Sequence, residues 1–163
     1  MADKVKPVTV ATLLDMKRKG LKIAMLTAYD FPTARLAEEA GVDVILVGDS
    51  VGMTKLGYDS TLPVTVEDML HHAKAVKRGS SRALIVVDMP YLSYEIDPKD
   101  ALRHAGRLIK EGGAHAVKVE GGMEVAATVK ELLKINIPVF GHLGLTPQAV
   151  NRLGGYRVQG RRP

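Results

Sequence analysis

The chain contains no cysteine. A disulfide framework, a thiolate zinc site and a thiol nucleophile are therefore excluded, and the composition suits a reducing cytoplasm. Tryptophan is also absent, and aromatic residues make up only 4% of the sequence. Stacking platforms for single-stranded nucleic acid are correspondingly scarce. No apolar run reaches the ~18 residues that a membrane-crossing helix needs. The opening segment, MADKVKPVTVATLLDMKRKG, is charged at both ends and lacks the apolar centre of a signal peptide. The expectation is a protein that engages neither membrane nor nucleic acid.

What is present is an ordinary globular balance: 163 residues, 46% hydrophobic and 25% charged. This length suits one domain, residues 1–163, and a domain near this size buries roughly 68–70% of its unfolded surface. The formal net charge is +5 and the pI is near 9.5. Arg152, Arg157, Arg161 and Arg162 place much of the excess in the tail. With so few aromatics, that charge suits an anionic substrate or a subunit contact better than nucleic acid.

Strand-like and helix-like patterns alternate along the chain. LKIAMLTAY (21–29), DVILVGDS (43–50), ALIVVDMP (83–90), HAVKVEG (115–121) and IPVFGHLG (137–144) read as five strands. Between them, Asp30 caps a helix that carries Pro32 and ends at Gly41. A glycine-containing loop follows from Val51 to Pro63. Thr65 opens the next helix, with Asp68 in a capping-box position. Asp97-Pro98 starts another, with an apolar stripe of Ala101, Leu102, Ala105, Leu108 and Ile109, and Gly112-Gly113 ends it. Val125, Val129, Leu132 and Leu133 mark a fourth helix, and Thr146-Pro147 starts a capped turn. Repeated βα units with nearly continuous apolar strands imply a parallel sheet covered by helices. Two α/β architectures satisfy this: a doubly wound sheet, or the first five units of an incomplete (β/α)8 TIM barrel, which needs about 250 residues in full.

Parallel strands point their C-terminal ends the same way, and α/β proteins build their sites there. These ends carry Asp49 and Ser50, Asp88, Lys118 and Glu120, and His142. Asp49, Asp88 and Glu120 are three hard oxygen donors, which suit Mg²⁺; without a cation they would repel one another. Lys118 and Glu120 are two residues apart, so they project to the same side of their strand. A lysine beside the carboxylates would meet an anionic group of a ligand, and Ser50 and His142 add hydrogen-bonding capacity. Asp30 reads as a helix cap instead. His71, His72, His104 and His115 read as surface or packing residues, and Met53, Met69 and Met89 as packing.

The segments VGDSVGM, VVDMPYLSY, AVKVEGG and PVFGHLGLTPQ with GGYRVQGR, together with LTAYD and GYDSTLPVTVEDMLHHAKAV, resemble the ketopantoate hydroxymethyltransferase family. The likeness runs from about Pro7 to the end. It implies a TIM barrel and a homo-oligomer. It also implies transfer of a hydroxymethyl group from 5,10-methylenetetrahydrofolate to 3-methyl-2-oxobutanoate, giving 2-dehydropantoate for pantothenate and coenzyme A. By motif, Asp49, Asp88 and Glu120 would hold Mg²⁺, and Asp49, Ser50, Asp88 and Lys118 would contact the keto acid. His142 would stand beside the substrate, and Lys118 would add charge next to the developing oxyanion. The resemblance also implies that the family's proton-accepting glutamate follows the VQGR segment, where this sequence has no counterpart.

Two other readings use similar parts. The phosphoenolpyruvate mutase and isocitrate lyase group shares Mg²⁺-assisted keto-acid chemistry, but its members typically carry a catalytic cysteine motif. A phosphoacceptor receiver domain would use Asp88 with Mg²⁺. It wants an acidic pair after the first strand and a lysine ending the fifth, where this chain has a lone Asp30 and Gly-His-Leu-Gly.

Overall fold

The computed structural model describes residues 6–160. Arg161 and Arg162, half of the expected basic tail, lie outside them. Five parallel strands, β1 (Met25–Thr27), β2 (Val44–Val47), β3 (Leu84–Asp88), β4 (Ala116–Glu120) and β5 (Val139–His142), form one sheet in strict chain order. A doubly wound sheet would reverse direction partway across. The sequential order is instead that of a (β/α)8 barrel, of which these strands form an arc.

The helices form where the sequence supplies their ends. α2 (Phe31–Glu39) is capped by Asp30, whose carboxylate accepts from Thr33 N, with Pro32 in the first turn. α4 (Val66–Gly79) carries a complete capping box between Thr65 and Asp68. α5 (Pro98–Lys110) is capped by Asp97. α6 (Ala126–Lys134) follows a short 3-10 turn, Met123–Val125. These helices lie on one face of the sheet. Ile45, Val47, Ile85, Val87, Val117 and Val119 alternate onto that face and join Ala34, Ala37, Met69, Ala73, Val76, Ala101, Leu108 and Leu132 in the larger core. α2 and α4 pack closely: a Cβ on Gly79 would stand 2.6 Å from the Phe31 carbonyl oxygen.

The other face has two zones. Val44, Leu84, Val86 and Ala116 form a smaller apolar cluster with Val8 and Leu13, flanked by Met16, Leu46 and Phe140. Val8 and Leu13 belong to the segment that leads into and forms α1 (Val10–Arg18), a helix the sequence reading did not assign. Two or four residues further along the same strands come the charged side chains. The alternation that buries aliphatic groups at the bottom of this face thus delivers Asp88, Lys118, Glu120 and His142 at its C-terminal end.

Other differences are local. β1 is three residues long rather than nine, and all three are exposed. It pairs only with β2, so an apolar composition alone does not bury it. Part of the expected loop after Ser50 is a short helix, α3 (Val51–Thr54). Pro147–Ala149 is a 3-10 turn that leads into α7 (Val150–Leu153), and Thr146 makes no side-chain cap bond there. Met69 and Met89 are buried, but Met53 is exposed, and its sulfur accepts a hydrogen bond from Tyr156. Among the described residues no helix is long and apolar enough to cross a membrane.

Candidate active site

Strand register builds the site. Asp88 lies opposite Lys118 on the neighbouring strand, and Glu120 lies opposite His142. The first pair forms a salt bridge of 2.6 Å between Lys118 Nζ and Asp88 Oδ1, largely out of solvent. In the second, His142 Nδ1 lies 2.9 Å from Glu120 Oε1. Asp49 follows the end of β2, in a turn that carries its backbone over β3. Its N–H donates to Asp88 Oδ2 at 3.1 Å. Gly48 permits this approach, since a Cβ there would sit 2.9 Å from Ser50 Oγ and 3.4 Å from Asp88 Oδ2. Ser50 Oγ is 2.8 Å from the Tyr29 hydroxyl, and the Tyr29 carbonyl is 2.8 Å from His72 Nδ1.

The sequence-derived residues therefore gather at one mouth: Asp49, Ser50, Asp88, Lys118, Glu120 and His142. The remaining histidines do not join them. His72 and His104 bond backbone carbonyls through Nδ1, and His115 Nδ1 accepts from Ile85 N.

Sequence reasoning missed two buried polar side chains. Gln148, in the turn after β5, donates from Nε2 to Asp49 Oδ2 at 2.8 Å and to the Met89 carbonyl at 3.0 Å. Its backbone N–H donates to Glu120 Oε2 at 3.0 Å. Tyr94, in the loop after β3, contacts Gln148 Oε1 at 2.6 Å and accepts from Glu120 N at 3.0 Å. A glutamine in a turn and a tyrosine in a loop carry no signal of burial in the sequence.

The electrostatics show surplus negative charge. Burial, then the Asp88 carboxylate, raise the Asp49 pKa to about 7; the Gln148 hydrogen bond pulls it down, Glu120 pushes it up further and Lys118 offsets part of that. Among the described residues no three His, Asp or Glu side chains form a ready-made metal cage. The donor set nevertheless fits Mg²⁺, which is commonly held by one or two carboxylates and several waters. The carboxylate repulsion that helps raise the Asp49 pKa would be offset by such a cation. Beside Glu120 and Gln148 opens a cleft of about 490 Å³, walled by Tyr91, Glu95, Leu143 and Arg152 among others.

Sequential parallel strands with a charged mouth at their C-terminal ends define an α/β protein of the TIM-barrel type. Solved structures agree. The chain superposes on oxaloacetate acetylhydrolase in complex with the product oxalate with a TM-score of 0.58 at 16% identity, covering 83% of this chain and 53% of that one. For 2,3-dimethylmalate lyase, a PEP mutase/isocitrate lyase superfamily member, the TM-score is 0.54 at 18% identity, covering 74% and 48%. For phosphonopyruvate hydrolase complexed with oxalate and Mg²⁺ the values are 0.53, 16%, 69% and 38%. Identities this low speak for the fold alone. The sequence itself is more specific: residues 7–163 match the family model for ketopantoate hydroxymethyltransferase, and the chain belongs to that family. It is 63% identical over 154 residues to the 3-methyl-2-oxobutanoate hydroxymethyltransferase of Carboxydothermus hydrogenoformans, covering 94% of this chain and 56% of the relative. It is 60% identical over 153 residues to that of Bacillus cereus, covering 94% and 55%. The chain thus spans about half the length of the curated relatives it matches.

Proposed function

We propose that the chain supplies the magnesium and keto-acid half of a 3-methyl-2-oxobutanoate hydroxymethyltransferase site, with 5,10-methylenetetrahydrofolate as one-carbon donor and 2-dehydropantoate as product. One observation carries this reading. In a chain of this family, strand register sets a partly buried lysine against one of three carboxylates at a single mouth.

The reaction removes the C3 proton of the keto acid, and the electron pair left at C3 forms the bond to the one-carbon unit. Asp49, Asp88 and Glu120 would hold a magnesium ion, some of them through water, and that ion would supply Lewis-acid polarisation of the keto oxygen. Lys118 is held against Asp88, largely out of solvent. There it attracts the substrate carboxylate and offsets negative charge as it grows on the keto oxygen. Ser50, held by Tyr29, can donate to a substrate oxygen. When His142 Nδ1–H donates to Glu120, its Nε2 is the nitrogen left to accept or orient a proton. The cleft beside Glu120 offers room for a second, larger substrate.

The test is calorimetric titration of the chain with 3-methyl-2-oxobutanoate, with and without Mg²⁺, alongside proton NMR of C3 exchange in D₂O. We expect Mg²⁺-dependent binding. Any exchange at C3 is likewise expected to require Mg²⁺. Binding that ignores Mg²⁺, or no binding by a chain with a folded circular dichroism spectrum, would overturn the reading.

A further inference from the structure

The Gln148 side chain spends its hydrogen-bonding capacity on the site. An amide offers two N–H donors and a carbonyl acceptor. Both donors are directed at acceptors, Asp49 Oδ2 and the Met89 carbonyl, and Oε1 receives the Tyr94 hydroxyl. The partners fix the orientation: a flipped amide would face its oxygen toward a carboxylate and a carbonyl, with no hydrogen between them. The backbone N–H of the same residue holds Glu120 Oε2. One buried residue thus grips two carboxylates at the C-terminal ends of different strands, Asp49 just past β2 and Glu120 closing β4. Tyr94 braces it from behind and also takes Glu120 N.

We propose that Gln148 is a positioning residue, holding Asp49 and Glu120 in the relative placement that receives the cation and keto acid. The proposal rests on the functional reading above. Without this clamp, two buried carboxylates would turn away from each other and toward water, and a cation would have to reassemble them at its own expense. Outer partners of ligating groups typically change metal affinity by about 10–100-fold. The role is confined to placement, since Gln148 carries no proton that the reaction needs.

The experiment titrates the full chain with Mg²⁺ alone, then with 3-methyl-2-oxobutanoate at saturating Mg²⁺, for wild type, Gln148→Met, Tyr94→Phe and Ile137→Val. Methionine keeps the volume of glutamine and removes its side-chain hydrogen bonds. Ile137→Val trims the core outside the site and controls for lost stability. Gln148→Met is expected to weaken Mg²⁺ binding at least about tenfold, Tyr94→Phe by a smaller factor, and Ile137→Val not at all. A Gln148→Met chain that binds Mg²⁺ as wild type does, or loses no more than Ile137→Val, overturns the positioning role. If Gln148→Met does not fold, Tyr94→Phe decides, because unchanged affinity there overturns the proposal equally. A wild-type chain that is folded but binds no Mg²⁺ overturns the functional reading, and the positioning role falls with it.

Discussion

Replacing Asp49 by asparagine should make the metal-free protein more stable while removing its response to magnesium. Burial and the Asp88 charge raise the pKa of Asp49 from 3.8 to about 7, so the folded state holds this proton more tightly than the unfolded chain does. The linked destabilisation is absent at pH values below the unfolded pKa, grows as pH rises toward the folded pKa, and is complete above it. At 1.36 kcal/mol per pKa unit it amounts to roughly 4 kcal/mol. Asparagine removes that penalty but weakens the charged hydrogen bond from Gln148, a loss of about 1–2 kcal/mol. The net gain is therefore about 2–3 kcal/mol at about pH 8, shrinking to near zero at about pH 5. Mg²⁺ at a hundred times its dissociation constant adds about 2.7 kcal/mol to the wild type only, which brings the two proteins level at about pH 8 and puts the wild type ahead at lower pH. Urea unfolding of both proteins, in chelator and in Mg²⁺, at three pH values measures all of this. A variant less stable than wild type in chelator at the highest pH would refute the charge argument.

The remaining predictions address the rest of the structure. Lys118→Met should weaken 3-methyl-2-oxobutanoate binding at least about tenfold, as expected when a buried charge pair loses one partner, while Mg²⁺ binding persists; calorimetry separates the two. Glu38 accepts hydrogen bonds from Ser80 Oγ and from the backbone of Ser81 and Ala83. Burial alone would raise its pKa, but these bonds and one from Arg82 bring it from 4.5 to about 2. Its contribution is present above the unfolded pKa and lost as pH falls through the folded value. Discounted for partial solvent contact, it is roughly 1–2 kcal/mol, so Glu38→Gln should lose that much near neutrality and converge with wild type in acid melts. Gly79→Ala should lower stability by about 1–3 kcal/mol in thermal denaturation, because its Cβ would press on Phe31 and Ala34.

Much of this arrangement was legible in the sequence because it is local. Asp30, Thr65 with Asp68, and Asp97 announce helix starts through bonds to residues two or three positions away. Period-2 alternation in AVKVE places Lys118 and Glu120 together, and strand ends group them with Asp49, Asp88 and His142. Where the reading failed, the deciding contacts were distant or missing. LKIAMLTAY read as a nine-residue strand because its residues are largely apolar, but β1 is three residues long, and with one neighbouring strand it leaves Met25 and Leu26 in solvent. α1 buries little of itself beyond Leu13, so its sequence gave no hint that it floors the inner face. Gln148 is polar and sits in a turn; only a partner 99 residues earlier explains why it is buried.

That separation also bears on the order in which the molecule assembles. Each strand pairs with the one made just before it, so the Glu120–His142, Lys118–Asp88 and Asp49–Asp88 contacts close over 22, 30 and 39 residues. The bond from Gln148 to Asp49 spans nearly the whole sheet and cannot form until the turn after β5 has docked. Long-range closures of this kind come at a higher entropic cost and later than local ones. Until then Asp49 and Glu120 have their strands beneath them but lack the residue that joins the two. On the proposed reading, the cation site would thus be completed only once that turn has docked, and a chain folded no further than β4 would offer magnesium no assembled place to bind.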